Sequence, residues 1–396
     1  MHLSPEEQLA ILTRGTERLI SPDQLLRQLH SATTKKQPLR VKMGVDPTAP
    51  DIHLGHCVGL LKLRQFQDLG HTAVLIIGDF TASIGDPSGR NTTRPTLSRD
   101  TILANAHTYQ EQAFKILRRD QTEVVWNGTW FNNMTAHTLL ELLSRRSVSQ
   151  ILQREDFKSR LESHHPLALH EICYPLLQGW DSVMVKADVE IGGSDQLFNL
   201  LIGRDLQEQC HQPPQTIITL PLLEGTDGVH KMSKSLGNTI SVNDPPKEMF
   251  GRVMSIPDPL TSRWSEILFA ETPDPSLHPM EAKKRLAQKI ITLFHSASAA
   301  QQAREEFERI FSLHQLPTDI PSLTPPTPLP LTKLLVHIHA APSNSEARRL
   351  ILAGAVSINQ QKITDPTTTP DYSTPFILRC GKRFFAQIQP PPHPPK

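Results

Sequence analysis

Cysteine is scarce. The chain has four in 396 residues, Cys57, Cys173, Cys210 and Cys380, with no Cys-x-x-Cys pair among them. That spacing excludes a structural zinc site of the usual kind, and reduced thiols in a cytoplasmic protein are the simplest reading. No metal centre is expected. Long apolar runs are also missing: none approaches the ~20 residues of a membrane span. The N-terminus, with Glu6 and Glu7 after Ser4 and Pro5, is charged and helix-like, unlike a secretory leader. A soluble, intracellular protein is expected, with no membrane partner. Nor is there a charge excess, since 41 Lys and Arg stand against 40 Asp and Glu. The overall balance therefore gives no hint of a nucleic-acid partner. It hides one asymmetry: from Leu331 to Lys396 eight Lys and Arg face three Asp and Glu, so the tail is the basic part. A chain of this length is expected to hold two or three domains around a sizeable core.

What is present centres on two stretches. An apolar run from Arg40 to Val45 reads as a strand, and Val58, Leu61 and Phe66 in the segment Cys57 to Leu69 suit an amphipathic helix. Between them, Met43 to His56 places His53 and His56 in or just before a helix's first turn. Free backbone N–H groups and the positive end of the dipole attract phosphate there. Spaced i and i+3, the two histidines share a face, and Gly55 leaves room for a ligand to approach the backbone. Pro47 and Pro50 stiffen the turn that delivers them. Alone, such a pair is more often an ordinary surface or satisfied pair. Far downstream, Lys231-Met232-Ser233-Lys234-Ser235 is flanked by Gly225, Gly228 and Gly237. Two ammonium groups on a segment that can move suit a polyphosphate whose charge is redistributed during reaction.

Along the chain, Ser4 to Leu29 reads as short helices, with Ser21-Pro22-Asp23 a helix start. Ala73 to Gly78 is a continuous apolar run typical of a buried parallel strand. The polar, glycine-rich turn Gly85 to Arg90 follows, on the side of an open sheet where ligands gather. Glu123 to Trp126 is a further strand. Thr135 to Trp180 is mainly helical, with Leu139, Leu140, Leu142 and Leu143 giving one apolar face. Val189 to Ile191 is a strand that runs into Gly192-Gly193-Ser194-Asp195-Gln196 and a helix to Gln209, and Thr216 to Leu220 is β-branched. Strands alternating with helices argue for an α/β, doubly wound, Rossmann-type parallel sheet.

Beyond Pro246 the strand signal stops, and Glu281 to Phe311 is rich in good helix formers. Six prolines between Pro317 and Pro330 make a stiff linker. Ser343-x-x-Glu346 reads as a capping box opening a short helix that carries Arg348 and Arg349 and ends at Gly354. Val356 to Ile363 and Phe376 to Ile388 read as small strands. The expected division is a catalytic domain over 1–238 with a helical insertion at about 120–185, an α-helical domain over 239–315, a Pro-rich linker over 316–330, a small α+β domain over 331–389 and a disordered tail over 390–396.

The histidine motif followed by the lysine loop resembles the two signatures of class I aminoacyl-tRNA synthetases. The resemblance narrows with Asp46-Pro47-Thr48, Gly85-Asp86-Pro87-Ser88-Gly89, Tyr174-x-x-x-Gln178-x-x-Asp181 and Ile191-Gly192-Gly193-Ser194-Asp195-Gln196. That ordered set is similar to the bacterial tyrosyl-tRNA synthetases over nearly the whole chain, and the basic tail resembles their S4-type RNA-binding module. The resemblance implies that tyrosine's carboxylate attacks the α-phosphate of ATP, releasing pyrophosphate, and that the tyrosyl group then passes to the 3′ end of tRNA(Tyr). ATP with Mg²⁺ would be a substrate, no cofactor would be permanently bound, residues 239–315 would bind the anticodon, and the protein would be a homodimer through the helical insertion.

By motif, His53, His56 and Thr48 would serve the ATP phosphates, with Lys231 and Lys234 closing over the pyrophosphate. Asp46 would orient the substrate near the α-phosphate, Gly55 would lie under the adenine or ribose, Asp195 would accept from the ribose hydroxyls, and Gly193 would belong to the ATP site. Tyr174 and Gln178 would sit near the tyrosine ammonium, with Asp79, Asp86 and Gln196 as further candidates, and Asp181 would meet the phenol. Asp79 follows an apolar strand, so its carboxylate is expected to have a partner. Lys333, Arg348, Arg349, Lys382 and Arg383 would contact tRNA. One position departs from the family: where many members place a tyrosine that touches the substrate hydroxyl, this chain has Lys42, expected to pair with Asp181, to bond the phenol or to point elsewhere. Rival readings are a tryptophanyl-tRNA synthetase, a related nucleotidyltransferase and a catalytically dead RNA-binding protein.

Overall fold

A computed structural model of the chain describes residues 3–88, 97–272, 274, 276–311, 320–381 and 384–392. Expectations for Gly89 and Arg90, for Pro317, for Lys382 and Arg383, and for 393–396 lie outside those residues. By its internal contacts the chain divides into two units, Met1–Arg304 and Glu305–Lys396.

The first unit is organised by a six-stranded sheet. Its strands are β1 (Arg18–Ile20), β2 (Arg40–Val45), β3 (Thr72–Ile77), β4 (Thr122–Trp126), β5 (Val189–Gly193) and β6 (Thr216–Leu220). Their order is β1-β6-β5-β2-β3-β4. The five strands from β2 to β6 run parallel, and β1 closes the edge antiparallel to β6. In β3 every residue from Ala73 to Ile77 is buried, because helices cover both faces of such a sheet. The winding reverses between β2 and β5, and that switch point opens a crevice at the strands' carboxyl ends. Strand β1 had no sequence signal: three residues are too few to show alternation. It forms because Leu19 and its neighbours pair with Ile217 to Thr219 along an edge of β6 that would otherwise be open.

The first crossover helix, Leu54–Asp68, begins three residues before Cys57, since His53 is its extended N-cap. Within the insertion, the leucines of the helix Ala136–Leu143 do not form one buried face. Leu142 is 2% exposed and Leu140 65%. At 3.6 residues per turn, positions two apart lie nearly opposite, so turning Leu142 inward turns Leu140 out. After β6 come helices Pro246–Met254, Asp258–Phe269, Pro279–Phe294 and Ala297–Phe311, and the first three belong to the same unit as the sheet. Two of the four begin with proline and Asp258–Phe269 carries Pro259 at its second position, which fits a helix start because the missing N–H would lack a partner there.

The second unit packs helices Leu331–His337 and Asn344–Leu352 on a five-stranded sheet. Its strands are β7 (Ser322–Leu323), β8 (Val356–Ile358), β9 (Gln361–Ile363), β10 (Phe376–Cys380) and β11 (Phe384–Ile388), in the order β7-β11-β10-β8-β9. Leu331, Leu334, Leu335, Ile351, Val356 and Leu378 are fully buried in its core. Part of the segment read as a linker belongs to this sheet, since β7 pairs parallel to β11 and Tyr372 donates to the Leu329 carbonyl at 2.9 Å. Only half of the capping box forms. Ser343 Oγ accepts from the Glu346 N–H at 3.2 Å, but the Glu346 carboxylate turns to Arg349, with Oε2 2.8 Å from Nε.

Candidate active site

A cavity of about 240 Å³ fills the crevice between β2 and β5. Strand ends supply Met43 to Asp46, Gly78 and Glu190 to Gly193, and the lining also includes Thr48, His56, Asp86, Tyr174, Gln178, Asp181 and Gln196. Helix Leu169–Val185 delivers Tyr174, Gln178 and Asp181 together, because spacings of four and three fall on one face. Tyr174 donates to Asp46 Oδ2 at 2.9 Å, and Thr81 Oγ1 donates to Asp46 Oδ1 at 2.7 Å. A Cβ at Gly78 would collide with both Asp46 Oδ1 and Thr81 Oγ1, so this close approach requires glycine. Burial, and next the negative charge of Asp46, hold the Tyr174 phenol well above its usual range.

Asp181 is 4% exposed. Its Oδ1 accepts from Trp130 Nε1 at 3.1 Å and its Oδ2 from Asn127 Nδ2 at 3.3 Å. Burial raises its carboxyl to about 7, against the opposing pull of Lys42 and of those two donors. Lys42 does not pair with Asp181. The β2–β5 register sets it directly beside Glu190, and its Nζ donates to Glu190 Oε1 at 2.7 Å, Ser182 Oγ at 2.7 Å and the Gln178 carbonyl at 3.2 Å. Glu190 Oε2 in turn accepts from Ser182 Oγ at 2.9 Å and from Gln215 Nε2. Three directed bonds use the ammonium's three protons, so none is left for a phenol.

Asp86 lines the cavity and also forms the turn expected of it, accepting from the Ser88 N–H at 2.9 Å, while Gln196 Nε2 donates to its other oxygen at 2.9 Å. Asp79 is not among the lining residues. Its Oδ1 accepts from the Gly128 N–H at 2.7 Å, which is the partner its position demanded.

The two signature motifs meet beside this cavity. The His53 backbone N–H donates to His56 Nδ1 at 3.3 Å, the ring centroids lie 3.9 Å apart, and the buried His53 Nδ1 has no hydrogen-bond partner among the described residues. Burial is the main reason that the imidazoles titrate low, at about 2 for His53 and about 4 for His56; the positive charge of Lys234 adds to it. Both rings are therefore neutral at pH 7. A Cβ on Gly55 would stand 3.1 Å from the His53 ring and 3.6 Å from Met232 Cβ, so the glycine keeps open the gap between the two motifs. The lysine loop is clamped by Asn238, whose Oδ1 accepts from the Ser233 N–H at 2.8 Å and whose Nδ2 donates to Asp227 Oδ2 at 3.0 Å. Lys231 Nζ lies 3.6 Å from Asp195 Oδ2, and Lys234 Nζ 3.1 Å from Asp51 Oδ2. Burial raises the Asp195 carboxyl, while Lys231 opposes the rise.

Two families of sequence cover this chain. Residues 34–312 match the model described as tRNA synthetases class I (W and Y), and residues 312–387 match the Tyrosine–tRNA ligase SYY-like C-terminal domain. The chain is 48% identical to the tyrosine–tRNA ligase of Aquifex aeolicus, covering 98% of this chain and 99% of that one. With the enzyme of the same name from Moorella thermoacetica the identity is 47%, over 96% and 95% of the two chains.

The chain belongs to the tyrosine–tRNA ligases.

Its activity is that of a class I aminoacyl-tRNA synthetase, ligating tyrosine to tRNA with ATP. The tryptophanyl, nucleotidyltransferase and dead-protein readings fall away with that membership. Solved structures share the ligase fold. The Archaeoglobus fulgidus tyrosyl-tRNA synthetase complexed with L-tyrosine superposes with a TM-score of 0.62 at 21% identity, over 76% of this chain and all of that one. A C-terminally truncated mitochondrial enzyme from Aspergillus nidulans gives 0.62 at 22%, over 78% and 94%.

Several groups around the ligase cavity carried no motif: Glu190, Asn127, Trp130, Asn199 and Asp51. A charged residue inside each of two apolar strands, Lys42 and Glu190, was the one available signal. In the second unit Lys333 and Arg348 are exposed, and Arg349 is held by Glu346. All four cysteines are free thiols, and burial pushes the Cys57 thiol far up. Among the described residues no group of three or more His, Cys, Asp or Glu is placed to hold a metal, and no helix is long and apolar enough to cross a membrane.

Proposed function

We propose that the cavity takes L-tyrosine with its phenol at Asp181 and its ammonium toward Asp86, Gln178 and Gln196. A buried carboxylate that rises to about 7 is a strong acceptor for a phenol and a poor host for a phenyl ring. That single observation carries the reading. Tyrosine's carboxylate oxygen then attacks the α-phosphorus of ATP, supplied as its Mg²⁺ complex, and the bond to the β,γ-pyrophosphate breaks. Because His53 and His56 are neutral, they donate N–H bonds to phosphate oxygens without placing a proton on them. Lys231 and Lys234 leave Asp195 and Asp51 and move onto the departing pyrophosphate, which frees Asp195 for the ribose. Gly55 and Gly193 keep the backbone accessible to the nucleotide, and Thr48 and Asp46 hold the α-phosphate end. Here Tyr174 acts by fixing Asp46 through its hydroxyl, and Asp79 fixes the backbone at Gly128.

In this reading residues 239–315 bind the anticodon arm and the basic domain 331–389 holds tRNA phosphates through Lys333, Arg348, Arg349, Lys382 and Arg383. The enzyme is a cytoplasmic homodimer, supported by the exposed Leu140, Val148, Leu161 and Leu169 of the insertion. Amino-acid-dependent ATP–pyrophosphate exchange tests the site. Tyrosine alone is expected to drive it, and exchange with tryptophan or phenylalanine at comparable kcat/KM would refute the assignment.

A further inference from the structure

Arg154 carries no motif, yet it is 5% exposed and leads into the insertion helix Glu155–Glu162. Its guanidinium lies 5.0 Å from the Phe157 ring centroid, and Nε pairs with Asp156 Oδ1 at 2.7 Å. The two remaining arms reach in different directions. Nη2 donates to Ser88 Oγ at 2.6 Å and Nη1 to Asn199 Oδ1 at 3.0 Å. From each acceptor the bonds run on toward the cavity. Ser88 Oγ donates to Asp86 Oδ1 at 2.5 Å. Asn199 Nδ2 donates to Gln178 Oε1 at 2.7 Å and Gln196 Oε1 at 3.2 Å, and Gln196 Nε2 donates to Asp86 Oδ2 at 2.9 Å. The two paths meet on Asp86 and close a ring.

A guanidinium has donors only, so it sets the direction of every bond in that ring. Ser88 and Asn199 must accept from it, which leaves the Ser88 hydroxyl and the Asn199 amide nitrogen to donate inward. Asp86 then accepts from both sides, one oxygen from Ser88 and the other from Gln196. We propose that Arg154 is a positioning residue for the ammonium end of the amino-acid site. It fixes the polarity of Asn199 and Ser88 so that Asp86 faces the cavity as an oriented carboxylate and Gln178 and Gln196 hold one amide orientation. Without it, Asn199 can flip, Ser88 can turn its proton elsewhere, and Asp86 loses a fixed partner. Lysine keeps the charge but presents no planar fork to bridge Ser88 and Asn199.

The inference rests on the assignment of Asp86, Gln178 and Gln196 to the ammonium, so the experiment separates the two. Inhibition constants against pyrophosphate exchange are measured on the full-length enzyme for tyrosinol, which has the ammonium, and for 3-(4-hydroxyphenyl)propanoate, which lacks it. In Arg154→Met, tyrosinol is expected to bind about 10-fold more weakly, the scale of one or two lost oriented bonds, with the propanoate unchanged. The KM for tyrosine should rise with kcat nearly constant, and Arg154→Lys should regain only part. Asp86→Asn is the reference and should lose tyrosinol selectively. If Asp86→Asn discriminates and Arg154→Met does not, the positioning role is wrong while the ammonium assignment stands. Equal weakening of both ligands in Arg154→Met would reduce the arginine to a structural part and overturn the proposal. Should Asp86→Asn itself fail to discriminate, the ammonium assignment falls, and the proposal with it.

Discussion

Replacing Lys42 by methionine removes the cation from a pair whose side chains are 0% and 2% exposed. Glu190 would keep Ser182 and Gln215 as donors but would lose Lys42, its one ion-pair partner among the described residues. Breaking a buried pair on one side costs about 3–5 kcal/mol, because an uncompensated charge stays out of water. Lys42→Met alone should therefore destabilise the unit Met1–Arg304 by that amount. Lys42→Met with Glu190→Gln removes both charges and keeps an acceptor for Gln215, and should recover to within about 1–2 kcal/mol of the parent. Trp126, Trp130, Trp180 and Trp264 all lie in that unit. Urea unfolding followed by tryptophan fluorescence thus reports the unit that holds the pair. A double variant as unstable as the single one would refute the ion-pair account. The same double variant also tests the site. Because the Lys42 protons are committed to Glu190, Ser182 and Gln178, its ratio of tyrosine to phenylalanine kcat/KM should stay within about threefold of the parent, on the scale of tenfold per 1.4 kcal/mol. A collapse of that ratio would mean that the lysine does act on the phenol.

Further predictions concern the other parts of the machinery. Since burial raises Asp181 to about 7, its acid form grows as pH falls through 7 and the charge-assisted bond to the phenol weakens. Tyrosine kcat/KM should then drop between pH 8 and 6, and a flat profile for the parent would contradict the site. Asp181→Leu should narrow a tyrosine over phenylalanine preference of about 10⁴ to 10⁵ by orders of magnitude in the exchange assay. Replacing His53 or His56 by Ala should slow single-turnover adenylate formation about 10²-fold or more with little change in tyrosine affinity; with both rings neutral far above their pKa values, the parent rate should show no histidine titration between pH 6 and 8. Lys333→Glu with Arg348→Glu should leave pyrophosphate exchange intact, raise the KM for tRNA and flatten its salt dependence; unchanged aminoacylation in moderate salt would remove the RNA role from those side chains.

Local sequence was enough for what depends on neighbours in the chain. The strands at Arg40–Val45 and Thr216–Leu220, the helix start at His53, and the common face of Tyr174, Gln178 and Asp181 all follow from short-range periodicity and from where a helix leaves its N–H groups free. So do the resemblance of the ordered motifs to a ligase family and the basic character of the tail. Tertiary structure decided what depends on register and on contacts between distant segments. Lys42 and Glu190 are 148 residues apart, and only the parallel pairing of β2 with β5 sets them side by side. That choice took the lysine away from Asp181. Strand β1 exists because β6 had an open edge, and Ser322–Leu323 became a strand because β11 did. Arg154 reached Asp86 and Gln178 through Ser88 and Asn199, 66 and 45 residues away. A buried polar group must find partners wherever the fold brings them, and no periodicity in the chain records where that is.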